Sequence, residues 1–121
     1  MTLRRLFLVI AGGMLGSAAR LGVALLVPDI GGLPVATLAV NVVGALLIGV
    51  LAARLPSSSN TRVFLGTGIL GGFTTYSAFA DGSVVLLTDA PLLALAYVVL
   101  TLGLGVSAAA LGMRWGSRRR A

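Results

Sequence analysis

The sequence predicts an all-α membrane protein of four transmembrane helices, the third broken near its middle. Three observations carry this reading. Of the 121 residues, 58% are hydrophobic and 10% charged, whereas about a quarter of a soluble domain is charged, and mean hydropathy is +1.08. Four apolar segments each reach the roughly 20 residues that a helix needs to cross hydrocarbon. One of the four contains GTGILGGFTTYSAFADGS, from Gly66 to Ser83, with four glycines followed by the hydroxyl run Thr74-Thr75-Tyr76-Ser77. A plain lipid-facing helix has no use for such a run. Irregular backbone survives at membrane depth only where protein buries it or where it lines a cavity. This length leaves room for a single domain, residues 1–121.

The first span is expected from about Leu6 to Val27, after Arg4 and Arg5. It is longer than a signal-peptide core and has no convincing cleavage site, so it is read as a retained helix. Pro28-Asp29-Ile30-Gly31-Gly32 is a turn by composition. The second span runs from about Pro34 to Ala53, with proline at the helix start, where its missing N–H costs nothing. Arg54, Pro56 and Ser57-Ser58-Ser59-Asn60 make a loop. The third span, about Thr61 to Leu87, is long enough to hold a break and still cross. Thr88-Asp89-Ala90-Pro91 reads as a turn, and the fourth span runs from about Leu92 to Met113. The remaining tail is basic and interfacial.

Four spans put both termini and the second loop on one side. That side holds Arg4, Arg5, Arg54, Arg62, Arg114, Arg118, Arg119 and Arg120, while the other holds Asp29 and Asp89 and no basic residue. The positive-inside rule places both termini in the cytoplasm. The net charge of +6 thus marks the ends of apolar runs beside lipid headgroups rather than a nucleic-acid surface. Cysteine and histidine are both absent, which removes disulfides, thiol chemistry and histidine-based metal sites or general bases. No nucleophile–base pair is evident, so an enzyme is not expected.

The polar residues inside the spans are the candidates for function. Asn41 is either a helix–helix hydrogen bond or a pore-lining donor to an anion. Arg20 either snorkels or adds positive potential to an anion path. Tyr76 and Phe79, three apart, share a helical face. They either pack or offer the positive edges of their rings to an anion, bound weakly enough to leave again. Thr74, Thr75 and Ser77 either bond back to their own helix or line a polar track. The break beside Gly71-Gly72 exposes carbonyls suited to a hard cation such as Na⁺ and N–H groups suited to anions. Tyr97 and Thr101, at i and i+4, either bond a neighbouring helix or continue the polar track. Gly12, Gly16, Gly44 and Gly49 are read as close-packing positions. Asp81 is read as a helix cap or an interfacial residue.

Together Gly12-Gly13 through Gly16 to Arg20, Pro34-Val35-Ala36-Thr37-Leu38-Ala39-Val40-Asn41 with Gly44, and Gly68 through Gly71-Gly72-Phe73-Thr74-Thr75-Tyr76-Ser77-Ala78-Phe79 resemble the Fluc/CrcB fluoride channels over nearly the whole chain. The resemblance implies an antiparallel dimer with two fluoride pores along its interface. It implies that Asn41 lies in the pore, that Tyr76 and Phe79 contact fluoride with their ring edges, and that Arg20 stands near the vestibule. It also implies a central structural Na⁺ held by the backbone carbonyls of Gly71 and Thr74 from both subunits. Passive fluoride export across the cell membrane is the implied activity. Two residues depart from the family pattern: Tyr76 replaces the usual phenylalanine, and Gly105 shortens the hydroxyl track of the fourth helix.

An antiparallel homodimer needs a chain that inserts both ways, and eight arginines against none predicts one orientation. The expected partner is therefore an oppositely oriented paralogue, with the homodimer as the other possibility. Two other functions fit the same outline: a small proton-coupled multidrug exporter, which wants a carboxylate that the first span lacks, and a non-conducting subunit of a heterodimeric channel.

Overall fold

The computed structural model describes residues 2–120, and side chains for residues 2–118. Met1, Ala121 and the side chains of Arg119 and Arg120, both counted in the charge argument, lie outside the described residues. Helix α1 (Leu3–Leu26) starts at Thr2, whose side chain accepts a hydrogen bond from the Arg5 N–H, and α2 spans Val35–Arg54. The third crossing, Asn60–Asp89, is composite. It begins as a short turn, α3 (Asn60–Arg62), continues as a π-helical stretch (Val63–Leu70), and closes its first half with α4 (Gly71–Phe73). Thr74 and Thr75 are extended, and α5 (Tyr76–Asp89) completes the crossing. Helix α6 (Pro91–Arg120) is the fourth. All four crossings are long and apolar enough to span a membrane.

Several boundaries differ from those read in the sequence. The turn expected at Thr88–Pro91 shrinks to Ala90, because α5 keeps Thr88 and Asp89 and Pro91 opens α6 at the position where proline is tolerated. The basic tail is not a separate segment but a continuation of α6 through Arg120. Asp81 caps no helix: Thr75 caps α5, and Asp81 is exposed six residues further on.

The first turn does follow from composition. Ile30 and Leu33 exchange backbone hydrogen bonds of 3.1 and 3.0 Å around Gly31 and Gly32, whose φ angles are +60° and +86°. Two consecutive positive φ angles are the requirement of a tight two-residue turn. Gly31→Ala is expected to cost about 1 kcal/mol of stability and to leave transport intact, as thermal unfolding in detergent and a flux assay would show.

Backbone proximity governs how the helices pack. A methyl group on Gly12 would meet Phe64 O at 2.7 Å and Gly68 Cα at 2.8 Å, and one on Gly16 would strike the Ile69 carbonyl oxygen. Thus α1 lies directly on the first half of the third crossing, and the two run parallel. On the other side α2 lies on α6, with Gly49 against Ala109 and Gly112 against Leu46. Lipid tails are as apolar as leucine, so close van der Waals contact between small residues is what joins such helices. Of the glycines expected to allow close approach, Gly12, Gly16 and Gly49 occupy these seams, whereas Gly44 faces the Thr74 and Phe73 side chains at the break in the third crossing. A small core of Leu86, Ala94 and Tyr97, joined by Leu33, Leu38, Phe79 and Leu93, ties α5 to α6 and to the start of α2.

Candidate functional site

The extended residue at the break in the third crossing, Thr75, is held by the Asn41 side chain. Asn41 Nδ2 donates to the Thr75 carbonyl at 2.9 Å, and the Thr75 N–H donates to Asn41 Oδ1 at 2.8 Å. The amide thus substitutes for a backbone partner and satisfies both groups of the extended residue. This is the answer to the demand that buried backbone be paired inside a membrane. Thr75 also caps α5, its Oγ1 accepting from the Ala78 N–H at 3.1 Å and lying 3.3 Å from Ser77 Oγ. Thr74 ties the other side of the break by donating from Oγ1 to the Leu70 carbonyl at 2.9 Å. The hydroxyl run therefore bonds back to its own backbone at Thr74 and Thr75.

The two ends of the break differ electrically. The C-terminal end of α4 carries unpaired carbonyls and partial negative charge. Arg20 meets it, donating from Nε to Gly72 O at 3.1 Å, with Ser17 Oγ at 3.5 Å. Among the described residues the carbonyls of Gly71 and Thr74 accept no hydrogen bond. The N-terminal end of α5 carries the opposite partial charge and opens into a groove.

That groove has a volume of about 380 Å³ and is lined by Asn41, Gly44, Ala45, Ile48, Thr74, Thr75, Tyr76, Phe79, Thr101 and Leu102. Tyr76 is 81% exposed, and its ring centroid lies 6.2 Å from that of Phe79 at a 55° tilt. Phe79 in turn lies 5.4 Å from Tyr97. The Thr101 hydroxyl is buried and has no hydrogen-bond partner among the described residues. Asn41 spends one of its two amide hydrogens on Thr75 and keeps the other. The groove thus combines two aromatic rings, an amide N–H and a helix N-terminus, with the buried Thr101 hydroxyl beneath its lining and no carboxylate among the lining residues.

Of the residues singled out in the sequence, the groove brings together Asn41, Thr74, Thr75, Tyr76, Phe79 and Thr101. Three others stand elsewhere. Tyr97 is fully buried in the α5–α6 core behind Phe79, with its hydroxyl toward Gly82. Ser77 is exposed and reaches only Thr75. Arg20 lines a separate cavity of about 100 Å³ with Thr37, Val40 and Thr75, so Thr75 is the wall between the arginine and the groove. Thr37 was not singled out, although it lies one turn from Asn41 on the same face of α2.

A sequence profile described as "CrcB-like protein, Camphor Resistance (CrcB)" matches residues 7–113. The chain belongs to the CrcB family. Among its relatives, "Fluoride-specific ion channel FluC 1" of Rhodococcus jostii (strain RHA1) is 45% identical over 93% of this chain and 85% of the relative. "Fluoride-specific ion channel FluC" of Rhizobium meliloti (strain 1021) is 42% identical over 92% of this chain and 94% of the relative. "Fluoride-specific ion channel FluC 2" of Corynebacterium jeikeium (strain K411) is 42% identical over 90% and 77%. These CrcB relatives are named as ion channels, and the present chain, with its four membrane-spanning helices, is a multi-pass membrane protein and not an enzyme.

Proposed function

We propose that this chain is a subunit of a fluoride-specific ion channel that lets fluoride leave the cytoplasm passively. The observation that carries the proposal is the groove at the helix break, which Asn41, Tyr76, Phe79 and Thr101 line without any acidic side chain, so that an amide N–H, a hydroxyl and two aromatic rings would meet a small anion. The names of the CrcB relatives supply the anion's identity. Fluoride is small and strongly hydrated, so its path must replace water with several donors without holding the ion too tightly. Neutral aromatic edges, hydroxyls and one amide N–H supply weak donors in series. Arg20 offsets the negative end of α4 behind Thr75, so the positive end of α5 faces the groove less opposed.

The groove is open along one side, and a second subunit would complete it. The proposed assembly is an antiparallel dimer, with an oppositely oriented paralogue as partner because the arginines of this chain crowd one end. Both termini then lie in the cytoplasm. The free carbonyls of Gly71 and Thr74 fit a Na⁺ ion, since hard cations take oxygen ligands and the end of α4 is negative. Two carbonyls from each subunit would hold it, and the ion would supply a fixed positive charge at the centre of the dimer.

The test is fluoride efflux from liposomes holding the purified chain, read with a fluoride electrode in Na⁺ buffer. Fluoride efflux without chloride leak is expected from the chain mixed with its paralogue. Chloride passing as fast as fluoride would refute the assignment, and full efflux from this chain alone would refute the heterodimer. Phe79→Ile is expected to slow efflux about tenfold, the equivalent of one lost aromatic contact, whereas Tyr76→Phe is expected to conduct like the wild type. Equal rates for all three would show that the ring edges play no part.

A further inference from the structure

We propose that the basic end of α6 carries a binding site for the headgroup of an anionic phospholipid. A cavity of about 390 Å³ between α2 and α6 is lined by Leu46, Leu111, Arg114, Trp115 and Arg118. Its two halves match the two halves of a lipid. Leu46 and Leu111 supply its apolar lining, and Arg114 and Arg118, one helical turn apart on one face of α6, supply its cationic lining. Arginine presents a planar fork of donors that fits phosphate in a two-pronged manner. Trp115 lies between them, and tryptophan concentrates at the membrane interface.

Depth supports the same occupant. Helix α6 has 30 residues, about 45 Å at 1.5 Å per residue, whereas the hydrocarbon core is about 30 Å thick. Its last turns therefore stand at headgroup level. Gly116 packs on Val50 and Ala53, one turn before α2 ends at Arg54, which puts the cavity at that same border. The charge is uncompensated locally. Asp29 and Asp89 belong to the opposite end, and Asp81 lies in α5, so among the described residues no acidic side chain competes for the two guanidinium groups. A phosphodiester at the mouth of an apolar cleft is the chemistry that satisfies both parts. The site does not depend on which ion the groove conducts.

Trp115 is the sole tryptophan of the chain and reports on the site directly. The full chain would be reconstituted in phosphatidylcholine vesicles, with brominated phosphatidylglycerol or brominated phosphatidylcholine added as quencher. In the wild type the anionic quencher is expected to act at a clearly lower mole fraction. An arginine near a membrane surface adds roughly fivefold to anionic lipid binding, so the R114Q/R118Q variant should lose about 30-fold. Six other arginines at the same end remain in that variant, so a merely diffuse attraction would survive it. R114K/R118K should recover part of the preference and separates lost charge from a disturbed helix. Equal quenching by both lipids in the wild type, or an undiminished preference in R114Q/R118Q, would overturn the proposal. So would removal of the preference by inorganic phosphate, which would assign the site to a soluble anion.

Discussion

Asn41→Asp is expected to abolish fluoride efflux, and it should do so through two separable effects. The first is mechanical. Asn41 offers Thr75 one donor and one acceptor, and Thr75 returns the complementary pair. Aspartate keeps the acceptor for the Thr75 N–H but turns an oxygen toward the Thr75 carbonyl. The Thr75 carbonyl keeps its place as acceptor at the start of α5, but it loses the bond from Asn41, which costs about 1 kcal/mol, and faces an oxygen instead. The second effect is electrostatic. An ionised carboxylate about 4 Å from the anion path would oppose fluoride by about 4 kcal/mol at an intermediate effective dielectric, roughly a thousandfold in occupancy. Asn41→Leu separates the two, since it removes the hydrogen bonds without adding charge. The expected order of efflux is wild type, then N41L, then N41D, measured in the assembly in which the wild type conducts. Thermal unfolding should show a lower midpoint for both variants. If N41D folds and conducts at the wild-type rate, neither the brace nor the groove has the role given to it.

The same residue shows what a sequence can and cannot announce. Hydropathy alone flags Asn41, because it is a lone amide among Val, Leu, Ala and Gly. Its partner, Thr75, is 34 residues away, and nothing local to α2 points there. Of the two readings of Asn41 open at the outset, the structure shows the hydrogen bond between crossings, while its service as a donor to an anion belongs to the proposed function. The glycines before the hydroxyl run were enough to locate the break, since a polar, flexible stretch inside an apolar span has few other uses. The π-helical stretch Val63–Leu70 was not legible. Propensity and hydropathy score the same residues alike for either helix type, so nothing in the sequence distinguishes the two windings. Tyr97 and Thr101 share a face by spacing, yet only Thr101 reaches the groove. Tyr97 is longer, and its ring fills the space behind Phe79, so spacing assigned the face correctly but not the depth. Arg20 carried no sequence signal for its acceptor, because Gly72 offers it only a backbone oxygen.

Gly16→Ala should be far more damaging than its size suggests, and Gly22→Ala on the same helix should be nearly silent. Alanine is the better helix former by about 1 kcal/mol, so helix propensity favours both changes equally. The surroundings decide otherwise. A methyl group on Gly22 has no atom within 4 Å, whereas one on Gly16 strikes the Ile69 carbonyl oxygen and meets Phe73 N at 2.8 Å. Those are backbone atoms, which cannot turn aside as a side chain can. Relief requires α1 to move away from the third crossing, and overpacking of this kind costs about 3 kcal/mol. Within lipid no hydrophobic force draws the helices back together. The functional cost follows from geometry. Arg20 lies one turn after Gly16, and its bond to Gly72 O at 3.1 Å spans the seam that would open. Losing it leaves the negative end of α4 uncovered behind Thr75 and leaves Arg20 without its acceptor at membrane depth, where an arginine is costly. The expected result is a large fall in the yield of monodisperse protein for G16A, with any recovered fraction conducting poorly, while G22A matches the wild type in both. Size-exclusion yield and efflux per folded subunit would measure it. Equal yield and equal efflux for G16A would mean that the α1 seam is looser than its backbone contacts require.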